Sequence, residues 1–157
     1  MKRILCLLVF TSIFLTGCGN PKNVGSPIHA NEIEAMILGS LTSGFGYCDV
    51  SEYYKNNYFN SFEGLNACKI YTCNESTNFD ELGILEFESD KSANKALRPV
   101  KEYLDQAKED FKGGIIYNVE EYPKFEAARA EVFGNCIVYT ILNKNVSDGI
   151  YSILAKK

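Results

Sequence analysis

Tryptophan is absent from this chain, histidine occurs once, at position 29, and no two cysteines stand in the spacing Cys-x-x-Cys. Each absence removes a class of chemistry. Without tryptophan the usual stacking platform for sugars is missing. A lone histidine means that a Ser-His-Asp or Cys-His arrangement would have to be built on His29, and a histidine-rich metal site is excluded. Dithiol redox chemistry needs the missing cysteine spacing, and a zinc site needs two close ligand pairs. Gly113-Gly114 follows a helical stretch and has no lysine-serine pair downstream, so no phosphate-cradling loop is present. Positive charge is also scarce, with 16 Lys and Arg against 20 Asp and Glu. That balance argues against a nucleic-acid surface. No cofactor, metal or nucleic acid is expected. The 157 residues, 46% of them hydrophobic, suit one globular domain.

The longest apolar run near the start, Ile4 to Phe14, has eleven residues. A membrane span needs about 20, whereas a signal h-region is of this length, and Lys2 and Arg3 supply its positive flank. Leu15-Thr16-Gly17-Cys18 follows, and it resembles the lipobox of bacterial lipoproteins, in which the cysteine thiol takes a diacylglyceryl group. Residues 1–17 are therefore expected to be a lipoprotein signal peptide, with Cys18 the lipidated residue and palmitate-type acyl chains holding the protein on the outer face of the bacterial cytoplasmic membrane. Two acyl chains anchor stably where one does not. Cleavage leaves 140 of the 157 residues and, with Lys2 and Arg3 gone, 14 basic residues against 20 acidic, a net charge of −6. Gly19 to Ile28 holds two prolines and two glycines without periodicity, as a flexible tether does, so the tether is placed at 18–28 and a single domain at 29–157.

Within the domain, Asn31 and Glu34 form a capping pattern before Ile33, Met36, Ile37 and Leu41, a helix ending at Ser43-Gly44. Asp49 and Glu52 repeat it before a short aromatic segment of one or two helical turns. Strands are expected from Leu65 to Thr72 and Leu82 to Glu88, paired as a hairpin. Ser89 or Asp90 caps the longest helix, whose stripe of Ala93, Ala96, Leu97, Val100, Tyr103, Leu104, Ala107 and Phe111 keeps its phase across Pro99, so a bend near Lys95 is expected rather than two helices. Asn118 and Glu121 open a short helix to about Phe125, and Ala128, Ala130 and Val132 then alternate as a half-buried strand. Gly134-Asn135 is a two-residue hairpin turn, and Cys136 to Leu142 is apolar on both parities, an interior strand covered on both faces. Asn145 and Asp148 cap a last helix. The expected class is α+β, a four-stranded, mainly antiparallel sheet packed with helices. Residues 65–111 and 127–156 share the order strand, strand, helix, which suggests a duplication.

Asp80-Glu81-Leu82-Gly83-Ile84-Leu85-Glu86-Phe87, a charged helix, and then Ala130-Glu131-Val132-Phe133-Gly134-Asn135-Cys136-Ile137-Val138-Tyr139 resemble the family called domain of unknown function 4358, over roughly residues 47–156. The resemblance implies a small lipoprotein of an anaerobic Gram-positive bacterium, with an acidic pair entering one strand and a Gly-Asn hairpin entering a later one. It implies no catalytic or binding residues. Cys136, where the family leads one to expect an aromatic residue, and Pro99 depart from its pattern.

Three sets of residues carry whatever chemistry remains. The acidic pairs Asp80-Glu81 and Glu120-Glu121 have the composition of acid/base groups, but they sit at element starts, where acids complement a helix dipole or flank a turn, and Glu86 and Glu88 read as a solvated strand face. Cys48, Cys68, Cys73 and Cys136 are an even number in an exported chain, open either to free thiols or to a disulfide, with three connectivities for a full pairing. Seven of the 20 aromatic residues fall between Phe45 and Phe62. Of these, Tyr47, Tyr53, Tyr54, Tyr58 and Phe59 are candidates for a partner surface, because tyrosine combines contact area with a polar tip. Adjacent helical residues point about 100° apart, so at least one of Tyr53 and Tyr54 should reach solvent or a neighbouring loop. The function expected is that of a lipid-anchored, non-catalytic interaction or ligand-binding module, met by a protein partner at the cell envelope. The alternative is an extracytoplasmic enzyme, a hydrolase or thiol-dependent, using carboxylates or a cysteine.

Overall fold

In the computed structural model, residues 27–38, 46–75, 77–114 and 118–156 are described. The expected signal peptide, Cys18 and the tether as far as residue 26 lie outside them, as does the stretch 39–45 with Leu41 and Ser43-Gly44.

The elements run α1 (Ala30–Leu38), β1 (Tyr47–Asp49), α2 (Ser51–Asn57), β2 (Leu65–Cys73), β3 (Glu81–Phe87), α3 (Asp90–Gly113), α4 (Tyr122–Glu126), β4 (Arg129–Phe133), β5 (Cys136–Ile141) and α5 (Lys144–Leu154). The class is α+β as expected, but the sheet has five strands rather than four, in the order β1-β2-β3-β5-β4 with every pair antiparallel. The extra strand, β1, is three residues long. That is too short to show alternation in the sequence, and it exists only because Tyr47 to Asp49 lie along β2.

Helices cover both faces. Alternation along β2, β3 and β5 sends Ile70, Leu85, Ile137 and Tyr139 toward Ala93, Val100 and Leu104 of α3, with Phe59 and Phe125 closing that core. The opposite parity sends Leu82, Ile84 and Val138 toward Ile33 and Ile37 of α1 and Ile150 and Leu154 of α5. β5 is buried at all six residues, as its uniform apolarity requires. The two strand-strand-helix segments therefore share an element order but place α3 and α5 on opposite faces. A rotation relating the two hairpins about the central β3:β5 pair would put both helices on one face, so the arrangement is not a rotational repeat.

α3 runs unbroken for 24 residues with Pro99 inside it, and Ser89 Oγ accepts the Ser92 N–H at its start (3.2 Å). α1 begins differently from the local cap expected. The Ala30 N–H donates to Glu86 Oε2 (2.8 Å) and the Ile28 N–H to Asn135 Oδ1 (3.0 Å), while Glu34 accepts from the Tyr71 hydroxyl. Asn135, buried in the hairpin turn after Gly134 (φ +57°), also donates to the Phe87 carbonyl (2.9 Å). Glu86, read as solvated, is thus an entry clamp, and its Oε1 lies 3.1 Å from His29 Nδ1. Among the described residues no helix is long and apolar enough to cross a membrane.

Candidate functional site

The acidic pair at the start of β3 is buried, and this is the main correction to the reading of Asp80-Glu81 as acids that merely flank a turn at an element start. Glu81 points to the α3 face. There Oε1 accepts from the hydroxyls of Tyr103 on α3 and Tyr139 on β5, both at 2.7 Å, and Oε2 accepts from Tyr54 on α2 at 2.8 Å. Three elements thus converge on one carboxyl. Burial pushes Glu81 above the usual carboxylate range, and the three phenol bonds work against that shift. The same burial, next to the Glu81 charge, raises the pKa of Tyr54, Tyr103 and Tyr139, which keeps all three as hydroxyl donors.

Gly83 makes the arrangement fit. It lies opposite Tyr139 across the β3:β5 ladder, and a Cβ built on it would stand 1.9 Å from the Tyr139 ring. Only a residue without a side chain lets that ring lie across the strand toward Glu81.

Asp80 is settled by a different partner. Lys124 of α4 is buried, with Nζ 2.5 Å from Asp80 Oδ1 and donating to Glu121 Oε2 (2.7 Å) and Asn78 Oδ1 (3.0 Å). Burial opposes the Lys124 charge, but the two carboxylates outweigh it and raise its pKa. Glu121, expected to cap α4, instead accepts from this ammonium and from the Phe79 N–H (2.9 Å).

Between α2, α3, α4 and the sheet lies a cavity of about 840 Å³. Glu81 lines it together with Tyr54, Tyr58 and Tyr103, while Phe79, Phe111 and Phe125 form a second group of rings, and Gln106 and Asp110 are exposed at its edge. The Phe111 and Phe125 rings stack with centroids 4.4 Å apart, and Tyr103 meets Tyr58 edge-on at 5.6 Å. This volume lies in the range of small-molecule sites, and apolar walls with a few placed polar groups are their usual lining.

The tyrosine cluster divides. Phe59 is core, Tyr54 is a cavity wall, and Tyr47 is half-buried, with its hydroxyl pushed up to about 12 by burial and by Asp80 and Cys73. Tyr53, 60% exposed, and Tyr58, 48% exposed, remain on the surface, so the expected five-residue patch is reduced to two. Cys48, Cys68, Cys73 and Cys136 are free thiols. Alternation puts Cys48 and Cys68 on one face of the sheet and Cys73 and Cys136 on the other. Cys48 lies opposite Thr72, four residues or roughly 13 Å from Cys68 along β2, which is beyond disulfide reach. Burial raises the thiols of Cys68 and Cys136 to about 12, far from reactive thiolate. Among the described residues no three of His, Cys, Asp and Glu converge as metal ligands would. Cys18 lies outside the described residues. Tyr103, Tyr139, Gly83 and Lys124 were not singled out from the sequence. The available signal was a glycine in the middle of an apolar strand, which marks a close approach.

Fold and site together define a three-layer α+β domain with an aromatic cavity built on a buried carboxyl. The chain belongs to the family described as Domain of unknown function (DUF4358), which matches residues 52–142, more than half its length. The matched stretch runs from α2 through β5 and so contains Glu81, Gly83 and all three of its tyrosine partners. No curated protein and no solved structure matches the chain.

Proposed function

We propose that this is a lipid-anchored, non-catalytic module that binds a small ligand in the cavity beside Glu81, held through Cys18 on the outer face of the bacterial cytoplasmic membrane. The observation that carries the reading is an open cavity whose two buried acids are fixed in place by the protein's own side chains. Lys124 neutralises Asp80, and three phenols occupy Glu81. A serine or cysteine nucleophile is activated by an adjacent base such as an imidazole, and thiol catalysis needs a thiolate. Among the described residues no cysteine and no histidine lines the cavity, and burial holds the thiols of Cys68 and Cys136 far from thiolate, which weighs against the hydrolase or thiol-enzyme alternative. Apolar walls around one fixed polar floor suit recognition instead. The lipobox and short h-region support the anchor.

A protein partner at the envelope has its own support in Tyr53 and Tyr58, which are exposed in edge contact beside the cavity, with centroids 6.2 Å apart.

The reading is tested by purifying the full chain from membranes of its source and identifying retained small molecules by mass spectrometry, beside an Ala107→Phe variant. Ala107 lines the cavity midway between Tyr103 and Phe111 on α3, and a phenyl ring there obstructs the passage between its two ends. A compound retained by the wild type and lost from the folded variant supports the reading. Equal retention by both places binding elsewhere.

A further inference from the structure

The ligand class follows from the charge and shape of the same cavity, and it rests on the ligand-binding reading above. Among the described residues lining the cavity none is Lys, Arg or His, while Asp80, Glu81 and Asp110 are all present. The nearest buried cation, Lys124, is already shared between Asp80 and Glu121. The floor at Glu81 and the edge at Asp110 therefore present carboxyl groups with no cation in the lining.

Glu81 still has capacity. A carboxylate offers about four lone-pair sites. Oε1 accepts two phenols and Oε2 accepts one, from Tyr54, so an acceptor site remains on the oxygen held by a cavity wall residue. Tyr54, Tyr58 and Tyr103 surround this end, and aromatic faces attract cations. Phe79, Phe111 and Phe125 form the other ring cluster. Tyr103 and Phe111 stand eight residues apart on α3, about 12 Å along its axis at 1.5 Å per residue. The cavity is thus polarised, with a tyrosine end built on the Glu81 carboxyl and an apolar phenylalanine end.

From this we infer that the cavity takes a protonated amine carrying an apolar tail, with the ammonium on Glu81 Oε2 among the tyrosines and the tail among the phenylalanines. A hydrogen-bonding ammonium fits better than a quaternary one, because the open site on Oε2 needs an N–H donor. A carboxylate or phosphate ligand meets Glu81 and Asp110 with like charge.

Three probes of one shape separate the terms: 4-phenylbutylamine, its neutral isostere 4-phenylbutan-1-ol, and 4-phenylbutyrate, each titrated into the full chain at neutral pH by calorimetry or NMR. The amine is expected to bind about tenfold or more tighter than the alcohol, and the butyrate weakest. Glu81→Gln should weaken the amine about tenfold and leave the alcohol within about threefold, since the variant keeps the cavity shape. Asp110→Asn, an exposed change that does not touch the core, should weaken the amine by about two- to threefold and not the alcohol, and it serves if the Glu81 variant fails to fold. Equal affinity of amine and alcohol, or amine binding indifferent to both substitutions, overturns the ligand class while leaving the cavity a binding site. If none of the three probes binds, both the class and the ligand-binding reading fall.

Discussion

Glu81 keeps its place because every neighbour that approaches it is a phenol, and a phenol gives a hydrogen bond without bringing a charge. Its raised pKa has a consequence for stability. A carboxyl whose folded pKa lies above its unfolded value binds its proton more tightly in the folded state, so its contribution is fully present below the ordinary value of 4.5 and is lost as pH rises through the folded pKa. Wild-type stability should therefore fall relative to Glu81→Gln as pH rises from about 4.5, when both are unfolded in urea across a pH series. A difference that stays flat, or moves the other way, would show that Glu81 is not held up by burial. Gly83 gives a second expectation. Gly83→Ala puts a methyl group where the fully buried Tyr139 ring lies, 1.9 Å from its nearest atom, so something must shift in a region closed on all sides. A loss of about 2 kcal/mol or more is expected in urea unfolding, at the upper end of overpacking costs. At Gly134, with φ +57° in an exposed turn, alanine should cost only about 1 kcal/mol, because the strain there is confined to backbone.

At the scale of elements, α4 is fastened to the start of β3 by one buried ammonium. Lys124→Met would leave Asp80 charged and buried without its cation, which typically costs about 3–5 kcal/mol. The double variant with Asp80→Asn should recover part of that loss, because the unpaired charge goes with it. A thermodynamic cycle on the two sites measures the coupling, and simple additivity would contradict the pairing. The elements themselves were largely legible in the sequence. α3 showed its stripe from Ala93 to Phe111, β5 its two-sided apolarity, and the β4:β5 turn its Gly-Asn pair. What was not legible depends on distance along the chain. β1 is defined by its pairing with β2, and the helices' choice of face is set by packing rather than by local pattern. The site was hidden for the same reason. Asp80-Glu81 looks like any acidic pair at an element start, and the groups that bury Glu81 stand 22, 27 and 58 residues from it in sequence.

Across the whole molecule, two packed faces hold the fold together without covalent staples, since all four cysteines of the described residues are free. A domain of this size buries enough apolar surface for that. Reducing agent should accordingly leave the thermal unfolding midpoint unchanged, whereas a drop of several degrees would reveal a disulfide. Metabolic labelling with a fatty acid should mark the wild type and not Cys18→Ala, which should also leave the membrane fraction. Whether the cavity beside Glu81 is a binding site is tested most directly by a ¹⁵N-resolved NMR titration of the full chain with 4-phenylbutylamine, run on the wild type and on Ala107→Phe. Shift changes confined to cavity residues such as Tyr54, Tyr103 and Ile141, and abolished in a variant whose spectrum remains well dispersed, are the result expected. Changes scattered outside the cavity, or persisting undiminished in Ala107→Phe, would contradict it.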